Sequence, residues 1–224
     1  IKLFRARQGV TVKKADTLGV KLQGGPNISI MLDIAKNPFI LFYNLRYELY
    51  TFELTRTSKV DNRMVYEIEF AQRAEIEDPL YRGKIYINAD NYAITHVEFS
   101  LNLKNKEKAA SLFVKRKPIG VRFLPTSTLY IVNFVKHEGR YYLAYARNEL
   151  NFKAMWRRRL FNTRYGITAE LAITDRDSND ITKYSKSESF SDSEFLAESA
   201  KAFNDSDFWG EHNTIKPEES IENA

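Results

Sequence analysis

The sequence predicts a mainly β protein with a minor helical part, built as a strongly curved antiparallel sheet or unclosed half-barrel that packs on one or two helices. Apolar and polar residues alternate in several successive segments, which is the pattern of half-buried strands. Aromatic residues make up 13% of the chain, and rings suit a pleated, half-buried surface. With 224 residues and 43% hydrophobic composition, the chain can bury a real core.

The clearest strand pair covers residues 81–103, where two alternating runs meet at the polar turn Ala89–Asn91. This arrangement indicates an antiparallel hairpin. In its second strand the apolar residues change from even to odd numbers between Ile94 and Val97. A β-bulge near Thr95-His96 would account for the change of face, and its extra twist favours a curling sheet.

The segments before this hairpin also predict strands. Weak edge strands are expected at Thr11–Val12 and Val20–Leu22, whereas residues 27–36 fit neither periodicity. Tyr47–Leu54 predicts a strand, and Met64–Phe70 predicts its partner across a polar turn.

The segments after the hairpin predict a short helix, a long hairpin and a last strand. Gly139 would supply the positive φ that the hairpin loop needs. The predicted elements are a helix within Asn105–Lys117, strands at Leu129–Val135 and Tyr141–Arg147, an extension over Asn148–Met155, and a strand at Tyr165–Thr174.

The charge is uneven along the chain, which suggests two regions. Residues 185–224 hold ten acidic residues and three lysines, a net charge of −7, while the whole chain carries +5. We predict an antiparallel β-domain over residues 1–184 and an acidic, partly helical tail over 185–224, with a helix at 193–203, in a fragment of a longer chain. The tail is expected to pack on the same domain, although a basic body could also contact an anionic surface.

The residue content argues against most enzyme classes. Cysteine is absent, which excludes disulfides, thiolate catalysis and cysteine-ligated zinc. His96, His137 and His212 show no metal-binding spacing, so structural roles are favoured. No nucleophile elbow or glycine-rich phosphate loop occurs. We therefore predict no enzymatic activity, no catalytic residue, no cofactor and no metal.

Two acidic patterns are better explained as solvated structure. The run Asp175–Asp180 resembles the opening of a calcium loop, but its sixth position is Asp180 where that loop needs Gly, and Lys186 replaces the final Glu. Glu67 and Glu69 share one strand face and could form a carboxylate pair, but their alternation with apolar residues predicts a solvent-facing side.

The strongest basic cluster combines Lys153 with Arg157, Arg158 and Arg159. Basic side chains often protect a strand edge against aggregation, which is the most frequent meaning of such a run. Contact with an anionic head group is the functional alternative. Nucleic acid is the less favoured partner, because no recognition motif accompanies the charge.

Two stretches carry a family resemblance. Tyr81–Ile87 with Tyr92–Ile94, and the tail Phe208–Ile221, together with Lys21–Pro26, look like the region downstream of the carboxypeptidase-like regulatory domain in exported Bacteroidetes proteins. The resemblance implies an exported protein, either periplasmic or associated with the outer membrane. It implies no peptidase activity, because the name describes a neighbouring module.

The hairpin pattern is also similar to the outer-membrane lipoprotein-sorting carriers. That similarity implies an unclosed barrel wrapped over helices, in this chain those at 106–116 and 193–203, with an apolar cavity for lipid. No motif residue of that family maps onto this chain one by one, so no site is transferred.

These observations leave three hypotheses. The first is a non-enzymatic cell-envelope module that binds a lipid, a lipoprotein or an envelope protein in its concave apolar face. The second is a structural or adhesion-type interaction domain without a small ligand, and the third is a hydrolase with dispersed residues. An apolar cavity with a mouth favours the first over the second; the oligomeric state stays open.

Overall fold

The computed structural model describes residues 21–22, 26–60, 63–157, 162–176, 182–185 and 189. Its centre is a seven-stranded antiparallel sheet that does not close, and a separate sheet has two strands. The predicted mainly β fold with an unclosed antiparallel sheet is confirmed.

The described residues form nine strands, three α-helices and two 3₁₀ turns. The strands are β1 (Lys21–Leu22), β2 (Tyr50–Val60), β3 (Arg63–Gln72), β4 (Tyr81–Asn88), β5 (Ile94–Leu101), β6 (Val114–Arg116), β7 (Val121–His137), β8 (Arg140–Trp156) and β9 (Thr163–Ala172). The helices are α1 (Pro26–Met31), α2 (Pro38–Leu41) and α3 (Lys106–Phe113), and the 3₁₀ turns cover Tyr43–Leu45 and Tyr47–Leu49. The strand order of the large sheet is β2-β3-β4-β5-β7-β8-β9, so β2 and β9 are its two edges, and β1 pairs with β6 in the small sheet.

The hairpin of β4 and β5 forms as the alternation predicts. Asn88 accepts hydrogen bonds through Oδ1 from the backbone N–H groups of Asp90 and Asn91, at 2.9 and 3.2 Å, which closes the turn. The register shifts so that Tyr86 pairs with His96 while Ile87 pairs with Ile94. The unpaired residue between them is Thr95, so the predicted bulge is confirmed.

The main core lies on one face of the sheet, which we call the inner face. Ile85, Val97 and Val132 are directly paired across β4, β5 and β7, and all three are buried. Leu32, Ile34 and Leu41, from the segment that holds α1 and α2, join the same buried cluster. Burial of these side chains therefore fixes the short helices against the sheet.

A smaller core lies between α3 and the first half of β7. Val121 and Phe123 of β7 pack there with Phe152 and Ala154 of β8, and Phe113 of α3 contacts them. The helix begins after Asn105, whose side chain accepts a hydrogen bond from the Lys108 N–H at 3.0 Å. This N-cap satisfies one of the free donors of the first turn and confirms the predicted helix start.

Several boundaries differ from the predictions. Tyr47–Leu49 is a 3₁₀ turn, so the strand predicted at Tyr47 begins at Tyr50. No element was predicted over residues 27–41, where the structure has most of α1 and all of α2. Tertiary packing rather than local periodicity stabilises such short helices.

Strand β7 begins eight residues before the predicted Leu129. Residues 121–128 were not predicted as strand because they contain Pro125, and proline lacks the N–H that a central strand uses. In the structure β5 pairs with β7 only over Tyr130–Asn133, and the register on the β8 side shifts at Pro125. Pro125 therefore lies beside a bulge, where no ladder bond to β5 is needed.

The remaining long hairpin agrees with the sequence. Strand β8 covers both Tyr141–Arg147 and the predicted extension, and Gly139 has a φ of 82° in the turn. Strand β9 begins two residues before the predicted Tyr165. The strand predicted at Thr11–Val12 and the helix at 193–203 lie outside the described residues, as does almost all of the acidic tail.

Candidate functional site

Two cavities open on the inner face, beneath the helices. The first has a volume of about 380 Å³ and lies between α1, α3 and strands β7, β8 and β9. The second has a volume of about 480 Å³ and lies between α2, α3 and strands β4 and β5. Both volumes fall within the range of small-molecule sites in proteins.

The two cavities are neighbours. Ile40 of α2, Tyr81 of β4 and Leu112 of α3 line both of them. Most of the remaining side chains that line the first cavity are apolar, among them Leu32 and Leu150. The two cavities therefore share part of their walls.

The mouth of the first cavity carries exposed apolar side chains from three elements. Met31 of α1, Leu112 of α3 and Ile167 of β9 are 45%, 48% and 42% exposed. Contiguous apolar surface of this kind is typical of ligand-binding grooves and interaction sites.

Residues with polar or charged side chains also line both cavities. Asn148 and Glu149 line the first, Asp78, Lys108 and Ser111 line the second, and the tyrosines Tyr81 and Tyr130 lie where the first cavity meets the sheet. Tyr81 and Tyr130 pack edge to face, with ring centroids 5.8 Å apart. Burial raises the pKa of Tyr81 to about 12, and burial also raises the pKa of Tyr130 well above its ordinary value. Both phenols are therefore neutral at physiological pH and act as hydrogen-bonding groups rather than as bases.

Asn148 supplies a further polar atom. Its side chain lies on the wall of the first cavity, on β8 directly opposite Tyr130 of β7. Among the described residues, its Oδ1 is buried and has no hydrogen-bond partner. An unpaired buried acceptor costs free energy, so a ligand that donates a hydrogen bond there would recover it.

The opposite, outer face carries charged networks that sequence reasoning missed. Glu67 is only 2% exposed, although its pattern predicted a solvent-facing carboxylate. Arg56 of β2 and Lys84 of β4 each approach it at 2.8 Å and cover it from both sides. Hydrogen bonds from Lys84 and then Arg56 hold the pKa of Glu67 below its ordinary value, so it is an anion and not a proton donor.

The prediction that Glu67 faces solvent was therefore wrong, for a reason outside its own strand. The cations come from the two neighbouring strands, at positions that strand pairing alone brings together. Glu69 is exposed as predicted. A similar network joins Arg147 to Glu149 and Glu170 on the same face, at 2.6 and 3.3 Å.

The histidines and carboxylates of the described residues do not form a candidate metal centre. No group of three or more potential ligands converges in the part of the chain that the structure describes. His96 is half-buried and its Nδ1 contacts Asn133 Oδ1, while His137 is the exposed last residue of β7. His212 and most of the calcium-like run lie outside the described residues.

The predicted basic cluster is described only in part. Lys153 lies on β8 between Leu124 of β7 and Arg164 of β9, and Arg157 follows the strand with its N–H bonded to the Gly120 carbonyl at 3.0 Å. Arg158 and Arg159 lie outside the described residues. The structure adds a neighbouring feature that the sequence did not reveal, the exposed turn formed by residues 117–120.

The comparison with known families gives one match. Residues 44–146 match the model of DUF5686, a family of unknown function. The matched region runs from the first 3₁₀ turn into β8 and contains the predicted hairpin. No curated protein and no solved structure matches the chain. The resemblances to the Bacteroidetes module and to the lipoprotein-sorting carriers stay predictions.

Within the described ranges, none of the helices is long and apolar enough to cross a membrane.

Proposed function

We propose that this chain is a non-enzymatic module of the cell envelope that binds a lipid or a similar apolar molecule on its inner face. The single observation that carries the proposal is the pair of adjacent, mostly apolar cavities beneath α1, α2 and α3. The placement in the periplasm or at the outer membrane rests on the family resemblance of the sequence.

The character of the walls supports an apolar ligand. Ile40 and Leu112 border both cavities, and the mouth of the first exposes aliphatic side chains. Transfer of a ligand's apolar surface from water to such walls is favourable by about 25 cal/mol per Å². The neutral hydroxyls of Tyr81 and Tyr130 and the Oδ1 of Asn148 would orient a polar end.

A specific observation also favours the alternative, a structural or adhesion-type interaction domain. Strand β2 is an open edge of the sheet, and its Phe52 and Leu54 are 46% and 59% exposed. An exposed apolar edge strand is a template for pairing with another chain. Ligand binding in the cavities distinguishes the two proposals, because edge pairing does not require it.

The test is a titration with 11-(dansylamino)undecanoic acid, followed by native mass spectrometry of the protein isolated from its own envelope. We expect saturable fluorescence enhancement and a lipid-sized adduct. Leu112→Glu places a charge where both cavities meet, and we expect roughly a tenfold or greater loss of affinity, since one lost apolar contact of this size costs more than about 1.4 kcal/mol.

The matched control is Leu54→Glu, which makes the same change at a more exposed leucine outside both cavities. It should bind the probe like the unmodified protein. Circular dichroism on both variants separates lost binding from lost folding. Equal binding by the two variants, or no adduct and no probe binding in the unmodified protein, would refute the ligand-binding function.

A further inference from the structure

We infer that the end of the sheet formed by residues 117–122 and 153–157 is a docking surface for an anionic lipid bilayer. Such docking would be a second function, independent of the proposed ligand binding. The surface, called the basic tip below, lies where β7 begins and β8 ends.

The basic tip surrounds a surface hollow of about 610 Å³. Three cationic side chains, Lys117, Arg122 and Arg157, line it, and all three residues are exposed. No carboxylate among the described residues lines the hollow. Arg122 reaches Glu107 of α3 at 2.8 Å, but both side chains are about two-thirds exposed, so this pair is weak in water.

Further positive charge lies next to the hollow, on the outer face. Lys153 of β8 is directly opposite Arg164 of β9, and Arg122 and Lys153 are on the same face of neighbouring strands. Like charges placed opposite one another destabilise a strand pair. An anionic partner would relieve this repulsion, and each basic residue near an acidic membrane surface contributes about 1 kcal/mol of attraction.

Ile119 supplies an apolar contact at the same place. It lies at the centre of the exposed turn between β6 and β7, and its side chain is completely exposed. The neighbouring Pro118 is also exposed. An aliphatic side chain at the end of a basic turn can enter the acyl boundary of a bilayer while the cations stay at the phosphates.

The same features argue against nucleic acid as the partner. Single-stranded nucleic acid is held by exposed rings on which bases stack. The aromatic residue at the hollow is Trp156, which is half-buried and packs against the smaller core. The fully exposed side chain, Ile119, is aliphatic. The basic tip therefore suits a bilayer, where acyl chains lie beneath phosphate groups, better than it suits stacked bases.

The basic tip is joined to the first cavity through the smaller core. Phe113 of α3 and Leu150 of β8 line that cavity and also pack in the cluster with Val121 and Trp156. Docking by the tip would therefore hold α3 and the cavity at a fixed orientation relative to the bilayer.

Sedimentation with vesicles tests this inference, using phosphatidylcholine alone and phosphatidylcholine with about 30% phosphatidylglycerol. We expect binding to the anionic vesicles only, weakened by about 0.5 M salt because screening shortens the range of the attraction. Arg157→Glu and Ile119→Glu should each lower the partition coefficient roughly tenfold or more.

The controls make the same changes elsewhere. Lys136→Glu reverses a charge at the far end of β7, and Leu54→Glu replaces another exposed aliphatic residue; both should bind vesicles normally. Ile119→Glu should also retain the dansyl probe, which separates this inference from the ligand-binding proposal. Equal binding to both vesicle types, unchanged binding by both tip variants, or binding to duplex DNA in place of vesicles would overturn the inference.

Discussion

At the scale of single residues, Glu67 shows how a charge can be buried at the surface of a sheet. Its carboxylate is covered by the same side chains that neutralise it, Arg56 and Lys84, and these remain 64% and 41% exposed. Thr55 also donates a hydrogen bond to the Glu67 carbonyl at 3.2 Å. The arrangement links β2, β3 and β4 without placing an unpaired charge in the core.

This network predicts a pH dependence of stability. The folded chain lowers the pKa of Glu67 below its ordinary value of 4.5, because Lys84 and Arg56 hydrogen-bond the charged form. The resulting stabilisation is fully present above about pH 5 and is lost as the pH falls through the lower pKa of the folded state. Glu67→Gln should lower the free energy of unfolding by about 1–2 kcal/mol at about pH 7, and the difference should disappear towards about pH 2.

Urea denaturation at several pH values measures this difference. The matched control is Glu69→Gln, on the same face of β3 but exposed, which should change the free energy of unfolding by less than about 0.5 kcal/mol. A Glu67→Gln variant whose deficit stays constant from neutral to strongly acidic pH would show that the charge of Glu67 is not what stabilises the sheet.

At the scale of elements, the pair β4–β5 depends on a close approach at Gly83. A Cβ built at Gly83 would lie 2.1 Å from the Glu98 carbonyl oxygen and 2.6 Å from the Phe99 Cα. Both are backbone atoms of the paired strand, so they cannot move aside without breaking the register. Phe99 in turn stacks on Tyr130, with centroids 4.8 Å apart, beside the Tyr81 that borders both cavities.

Gly83→Ala should therefore lower the free energy of unfolding by about 2 kcal/mol or more, since an added methyl group in a filled space forces a backbone shift. Gly166→Ala is the matched control in β9, where the new Cβ would meet the end of the Asn151 side chain at 2.9 Å. That side chain can rotate, so the change should stay below about 1 kcal/mol. Urea midpoints measure both, and equal losses would contradict the backbone clash.

The same elements show what the sequence could and could not predict. Alternation predicted the hairpin of β4 and β5 and the bulge near Thr95-His96, because both depend on neighbours along one strand. The pairing of Arg56 and Lys84 with Glu67, the strand hidden by Pro125 and the short helices α1 and α2 depend on contacts between distant segments. The sequence alone revealed part of the basic charge of the tip, at Lys153 and Arg157. The exposure of Ile119 beside these charges depends on the conformation of the turn that connects β6 to β7.

At the scale of the whole molecule, one sheet carries two separate surfaces, each with its own proposed partner. The inner face holds the main core and the cavities, whereas the outer face carries ion pairs and the basic tip lies at one end. The first cavity is bordered by α1, α3 and three strands that are distant in sequence. A bound ligand would therefore contact segments that lie far apart in the sequence, such as α1 and β9.

This arrangement predicts that an apolar ligand stabilises the whole fold. A ligand that binds only the folded state at about a hundred times its Kd adds about 2.7 kcal/mol to the free energy of unfolding, which corresponds to a rise in Tm of roughly 5–10 °C for a chain of this size. Differential scanning calorimetry with 11-(dansylamino)undecanoic acid measures this shift in Tm.

Leu112→Glu should abolish the Tm shift and Leu54→Glu should retain it, because only the first change alters the walls that several elements share. A rise in Tm of the same size in Leu112→Glu would place the ligand elsewhere on the molecule.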